Sequence, residues 1–472
     1  MNSIEPLEPR IAPAVVAAVT AGVLHVDHTA VSMADMLKIF ESEPGKFDVT
    51  DNGNPVGTFP NVKSIAVALG ETIDTVTVQL SSDGLPGFLN IDTGDGATNS
   101  VQIFQTTSFG RIGGNVRVTG GAGMDSVNVG GVAIKGSLTF TGEGQTDSVS
   151  GDDFFVSKTV VIDNVEHTTF DPINPVVFGA LDIDQDEAAS AVVFILNHVV
   201  TVKGKLTYCG SAVQDDNVTV VGTVGGPALL MLDAGTNTVK VAGRFNSTLT
   251  ITGKGGNDAI TFTDAQTALN DPMLIPNQIG YQNKAVKISL GDGTNSLTLE
   301  RTSHFNDALS LTTGDGDDTV NFTDFFVQKG LTLTLGLGTN AVKHISGTHG
   351  IGGALKYTGG GGNDTVDLAG VVADTLSIKL GDGTNAVNNV ALIVGKGVAI
   401  TGGVGVDTLN FGIDSNEAIL TVALGAGVDS LTFTSGALAG AKLDGGGDAD
   451  TLVGESKLPV GSMILGFETK MP

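Results

Sequence analysis

The chain of 472 residues contains no tryptophan, three tyrosines and a single cysteine. One cysteine, Cys209, excludes a fold held by disulfides, and its small size suits a strand position. The lack of Trp, with only Tyr208, Tyr281 and Tyr357, weighs against a sugar cleft built on aromatic faces. No run approaches the roughly 18 consecutive apolar residues of a membrane-spanning helix. Residues 11–26 are apolar and alanine-rich, but the cationic start of an ordinary signal peptide is missing, with only Arg10 near it. Positive charge is also short: 24 Lys and Arg face 51 Asp and Glu, a net charge of −27. Such an excess repels nucleic acid and anionic membrane and suits a surface that collects cations. The seven histidines form no HExxH, and neither a nucleophile elbow nor a phosphate loop is present. The glycine-rich segments open strands, so no helix N-terminus is offered to a phosphate.

Glycine, by contrast, is abundant at 67 residues, and it is periodic. A short apolar run, a glycine turn ending in Asp or Asn, and a second apolar run recur about every 22 residues. Taking the residue that ends the turn as a marker, the series runs Asp35, Asp74, Asn99, Asp125, Asp147, Thr168, Ser190, Asp216, Asn237, Asp258, Asn295, Asp318, Asn340, Asp364, Asn385, Asp407, Asp429, Asp450. A period of this size held along nearly the whole chain means stacked coils, each burying its apolar face only against its neighbours. The expectation is all-β: a single elongated parallel β-solenoid, or β-helix, of about 18 coils over 24–455, on the order of 85 Å long at the usual strand spacing. Residues 1–23 are expected to serve export, capping or assembly, and 456–472 to form a C-terminal cap.

The apolar runs read as strands. In Leu331-Thr-Leu-Thr-Leu335 and Leu376-Ser-Ile-Lys-Leu380 apolar residues alternate with polar ones, which places one side against a core. A third run, as in Val132-Ala-Ile134 and Phe325-Phe-Val327, makes three short strands per coil the better fit. Two long steps require insertions: a hairpin near 46–60, around Asp51-Asn-Gly-Asn54, and a loop near 264–284, which holds two prolines and Gly280. Turn glycines such as Gly361 and Gly383 are expected to supply φ > 0. The Thr168 and Ser190 coils keep the spacing but lack the turn glycines, and are expected to have lost whatever the Asp does.

The segments Gly120-Gly-Ala-Gly-Met-Asp125-Ser-Val127, Gly359-Gly-Gly-Gly-Asn-Asp364-Thr-Val366 and Gly402-Gly-Val-Gly-Val-Asp407-Thr-Leu409 resemble the haemolysin-type (RTX) calcium-binding repeat. In that family nonapeptides follow one another and two make a coil; here one glycine turn serves each coil. The opening Leu7-Glu-Pro-Arg10-Ile-Ala-Pro13 is similar to the N-terminal Leu-Glu-Pro-Arg motif of large bacterial secreted and surface proteins rich in such repeats. The resemblance implies a secreted or cell-surface bacterial protein, with calcium held between turns by carboxylates and turn carbonyls. Its candidates here are Asp125, Asp147, Asp258, Asp318, Asp364, Asp407, Asp429 and Asp450, at weak sites. Asp95, Asp292, Asp315, Asp317 and Asp382 add carboxylates in the turns.

A second reading needs no metal. From Asn237 to Asp407 the markers alternate strictly between Asn and Asp, with Leu-Gly before Asn and mostly Thr-Gly before Asp. Two carboxylates one strand apart repel by about 1 kcal/mol in water and by more when desolvated, and an intervening Asn doubles their separation. Asn99, Asn237, Asn295, Asn340 and Asn385 would then belong to a polar ladder that satisfies turn N–H groups. Arg111, Lys135, Lys158, Lys203, Lys329 and Lys396 recur after the third strand, either as a stripe for acidic polysaccharide or as a solvated edge that discourages lateral pairing. The functional expectation is an extracellular structural or adhesive module without catalytic activity, associating end to end into a fibre or surface layer, with surface polysaccharide as a partner and calcium as a stiffener. The alternative is a β-helix polysaccharide lyase or hydrolase.

Overall fold

Stacked parallel coils of about 22 residues make the chain a β-solenoid of about 17 turns. The computed structural model describes residues 15–29, 34–81, 83–105, 109–170, 174–188, 190–269, 281–300, 303–347, 349–415 and 417–472. The Leu-Glu-Pro-Arg motif and most of the second insertion lie outside them. Two compact units are formed, 1–184 with 188–190, and 185–187 with 191–472.

Each unit builds its coils in the same way. In the first, Val116–Thr119, Met124–Gly130 and Val132–Ile134 form three sides of one coil. The next coil repeats them as Leu138–Thr141, Ser148–Asp152 and the start of Phe155–Asp163, in parallel register. In the second unit the same strand position recurs at Leu249–Thr252, Val286–Ser289, Leu309–Thr312 and Gly330–Thr334. Alternation along each strand sends every second side chain inward, so equivalent residues stack along the coil axis. Val239, Ile260, Leu297, Val320 and Val342 form one such column, none more than 1 % exposed.

The first unit starts with an antiparallel pair, Val15–Thr20 and Val23–His28, and the second of these strands is also parallel to Ser64–Ala68. The insertion near 46–60 is a hairpin of Lys46–Asp51 and Asn54–Phe59, whose Asn52 and Gly53 both take φ > 0. Its strand Lys46–Asp51 lies antiparallel to Met36–Glu43. Glu41 ties this region down by accepting from the Gly45, Ser81 and Gly84 N–H groups. The second insertion opens with the short helix Ala265–Leu269, capped by Asp264, whose Oδ1 accepts the Thr267 N–H at 2.7 Å. Ala265 and Ala268 pack on Val221 and Ala242.

Residues 456–472, expected as a cap, contain two further strands in coil register. Met463–Leu465 and Thr469–Met471 pair in parallel with Gly440–Asp444 and Thr451–Val453.

Candidate functional site

The recurring Asp and Asn residues do not face solvent at the turns. Asn99, Asp125, Asp147, Asn237, Asp258, Asn295, Asp318, Asn340, Asp364, Asn385, Asp407, Asp429 and Asp450 are all buried, none more than 3 % exposed. Each stands at the end of the glycine turn with its side chain inside the coil, level with its counterparts in the neighbouring coils.

There they form a hydrogen-bonded ladder. In the first unit the Asp74 N–H donates to Asn99 Oδ1 at 3.0 Å, the Asp125 N–H to Asp147 Oδ1 at 2.7 Å, and the Asp147 N–H to Glu166 Oε2 at 2.8 Å. In the second unit Asp216, Asp258, Asn295, Asp318, Asn340 and Asp364 each donate their N–H to the side-chain oxygen of the next coil, at 2.9–3.1 Å. Asp407, Asp429 and Asp450 continue to Asp429, Asp450 and Glu468, each at 2.8 Å. Asn237 and Asn385 reach the next coil with Nδ2, which donates to Asp258 and Asp407 at 2.8 Å. The turn interrupts the main-chain pairing of the sheet, and this side chain satisfies the N–H group that would otherwise be orphaned there.

The two coil types differ in shape for a reason the alternation conceals. An Asn turns its Nδ2 onto its own turn, as in Asn295 to the Gly291 carbonyl at 2.9 Å and Asn340 to the Gly336 carbonyl at 3.0 Å. In the second unit the residue five positions before the Asn is a buried leucine: Leu232, Leu290, Leu335 or Leu380. In most Asp coils that position is glycine, because the carboxyl leans onto it. A Cβ on Gly253, Gly359 or Gly402 would meet Oδ2 of Asp258, Asp364 or Asp407 at 2.0 Å or less.

Register corrects the marker series in two coils. Thr168 lies opposite Val149, an inward core position, and Glu166 occupies the ladder level after Asp147. Ser190 is likewise displaced, since Val192 is the residue opposite Asp216. The Thr168 coil has therefore kept a carboxyl in the ladder. Glu468 was missed for the same reason as Glu166: both follow the preceding member after only 19 or 18 residues, across a turn lacking the usual loop. The longer Glu side chain covers the remaining distance. Two tyrosines also belong to the site, as inward donors: Tyr208 O–H to Asp216 Oδ1 at 3.0 Å, and Tyr357 O–H to Asp364 Oδ2 at 2.7 Å.

Burial dominates the electrostatics. It pushes the carboxyls of Asp125, Asp258, Asp318, Asp364, Asp429 and Asp450 above the usual range. Asp147, desolvated and repelled by Asp125 and Glu166, rises to about 7. Asp216 rises to about 7 through burial, against the N–H of Ser211 and the hydroxyl of Tyr208. Asp407 rises to about 6 through burial and the neighbouring Asp429.

Thus the eight aspartates expected as cation ligands stack coil on coil within their units, Asp125 and Asp147 in the first and the other six in the second, and do not cluster. Among the described residues, no three of them place carboxyl oxygens within 4.8 Å of one another. The turn carboxylates are outside and hold a second, exposed ladder: Asp292 accepts from the Asp315 N–H at 2.8 Å, Asp317 from Thr339 at 2.7 Å and Asp382 from Val404 at 2.9 Å. Of the basic row, Lys329 pairs with Asp307 and Lys396 with Asp374, at 2.9 and 2.8 Å.

Neither protein-family models nor curated proteins give a match to this chain.

Proposed function

We propose that the chain is an exported bacterial structural or adhesive module, a stiff acidic solenoid that offers reach and repeated surface rather than catalysis. The observation that carries this reading is where the repeated Asp and Asn go: inside, joining coil to coil. A polysaccharide lyase or hydrolase of β-helix type needs carboxylates and a basic group on one open face. Here the repeated carboxyls serve cohesion, and Lys329 and Lys396 are engaged by neighbouring aspartates. The resemblance of residues 7–13 to an export-associated motif supports an extracellular role. Parallel coils also present main-chain edges on which a second copy can stack, so end-to-end association belongs to the proposal.

The test is incubation of the purified chain with pectin-like, alginate-like and neutral polysaccharides, alongside electron microscopy of the chain alone. The expected result is no reducing or unsaturated sugar released, and assembly into fibres or layers. Reproducible turnover lost on replacing a single Asp or Lys would overturn the scaffold reading in favour of the lyase.

A further inference from the structure

The ladder raises a question of charge that its structural role leaves open. Its carboxyls are buried among Val, Ile, Leu and Phe, and among the described residues no Lys or Arg is buried with them. An ionised carboxylate removed from water needs either a cation or several donors on both oxygens. The supply here is one-sided. Main-chain N–H groups of the preceding coil reach Oδ1 of Asp147, Asp318, Asp429 and Asp450, the Asn237 amide reaches Oδ1 of Asp258, and Oδ1 of Asp216 accepts within its own turn, while Oδ2 of Asp147, Asp216, Asp258, Asp318, Asp429 and Asp450 is buried without a hydrogen-bond partner among the protein's groups. Asn295 shows what the ladder level takes: its Oδ1 accepts the Asp258 N–H of the preceding coil and its Nδ2 donates to the Gly291 carbonyl. A carboxylic acid has that pattern and a carboxylate does not.

We propose that the buried aspartates of the ladder carry protons in the folded chain, so that stacking the coils takes up hydrogen ions and the ladder acts as a pH-sensitive clasp. Three positions are most exposed to this choice. Asp147 stands between Asp125 and Glu166, with an acid on either side. Asp407 faces the Asn385 amide on one side, Asp429 on the other and the Gly403 N–H within its own turn, and burial with the Asp429 charge outweighs these donors. Asp216 faces the Tyr208 hydroxyl and the Ser211 N–H within its own turn and Asn237 in the next coil, with Asp233 and Asp258 as the nearby charges.

The sign follows from burial. Folding raises these groups from an ordinary value of 3.8 to about 7 at Asp147 and Asp216 and about 6 at Asp407. A group raised on folding lends its full stabilisation below the unfolded value and loses it as pH climbs through the folded one. The clasp is therefore tight in mildly acidic solution and slackens towards pH 7 and above. This is opposite to an aspartate held by a cation, whose contribution grows as pH rises.

The experiment is a pH titration of the full chain with aspartate side chains labelled at the carboxyl carbon, read by NMR and by the infrared band of protonated carboxylic acid. A subset of aspartates should keep protons at about pH 5.5, where exposed ones are ionised, and the urea midpoint should fall between about pH 5 and pH 8. The combined variant Asp147→Asn, Asp216→Asn and Asp407→Asn should flatten that fall and remove the corresponding late-titrating signals. Complete ionisation of every aspartate by about pH 5 in the wild-type chain would overturn the proposal, and this arm does not depend on the variant folding. A variant keeping the full pH slope would overturn it too. So would restoration of the pH 8 midpoint by millimolar calcium with the labelled carboxyls ionised, which would make the column a cation site.

Discussion

Two stretches of the same column in the second unit solve one problem differently. From Asn237 to Asn385 every buried carboxyl lies between amides, and the alternation holds through three successive Asp–Asn pairs. From Asp407 to Glu468 four acids follow one another with no amide between them. The backbone geometry of the two stretches is the same, with N–H donors reaching side-chain oxygens at closely similar distances. What differs is how charge is managed. Amides separate the carboxyls in the first stretch, whereas in the second only protonation can. Hydrogen bonding thus fixes the shape of the side chain at this level, and charge decides which of two isosteric residues fills it.

The comparison breaks most severely when shape is violated. Gly402→Leu, which puts an Asn-type residue before an Asp, should cost about 3 kcal/mol or more, because even a Cβ there meets Asp407 Oδ2 at 2.0 Å and the Leu424 carbonyl at 2.1 Å. Loss of hydrogen-exchange protection in the 402–411 coil would register it. Gly383→Val should be comparably damaging, since Gly383 has φ 116° and its Cβ would sit 1.8 Å from the Gly362 carbonyl. Gly361→Val should be mild. Gly361 is not among the left-handed residues, and its nearest neighbour is the Leu337 side chain at 3.5 Å.

Charge without a change of shape comes next. Asn385→Asp turns the alternating stretch into a continuous one, placing a carboxyl between Asp364 and Asp407 and removing the Nδ2 donor to Asp407. At pH 8 it should cost about 2–3 kcal/mol, and most of that loss should disappear at about pH 5, when the new carboxyl can be protonated. Thermal melting at the two pH values checks this, and an equal loss at both would show that charge is not the cause. A smaller effect is expected from Tyr357→Phe. It removes the O–H donor to Asp364 Oδ2 and should lower stability by about 1–2 kcal/mol.

The smallest change should be a gain. Asp429 is an acid in an Asn-type coil: Leu424-Gly425-Ala-Gly427-Val-Asp429 follows the pattern of Leu380-Gly381-Asp-Gly383-Thr-Asn385. Asp429→Asn keeps the acceptor for the Asp407 N–H and removes one buried charge next to Asp407 and Asp450. It should add about 1 kcal/mol at pH 8 and little at pH 5, measured by urea unfolding at both.

Much of this was legible in the sequence, because a solenoid writes its period into every coil. The 22-residue step, the alternating strands and the 46–60 hairpin follow from local chemistry that tertiary contacts do not override. The ladder members could be identified as Asp and Asn, but their inward direction could not, since turn carboxyls ordinarily face water. Glu166 and Glu468 escaped because both residue type and spacing change when the turn shortens. Tyr208 and Tyr357 counted only as scarce aromatics, although each lies seven or eight residues before the carboxyl it serves. The left-handed glycine of the 359–366 turn is Gly362, one residue beyond the expected Gly361. A run of four glycines leaves the choice to stacking.

The ladder also has a direction. Within each unit the main-chain donors of the ladder belong to one coil and their acceptors to the coil that follows, as in Asp35 onto Asp74 in the first unit and Asp450 onto Glu468 in the second. A chain delivered N-terminus first would thus always hold one unanswered N–H at its newest coil, quenched only when the next side chain arrives. Growth would proceed from completed turns onto an unfinished front, much as a crystal step advances.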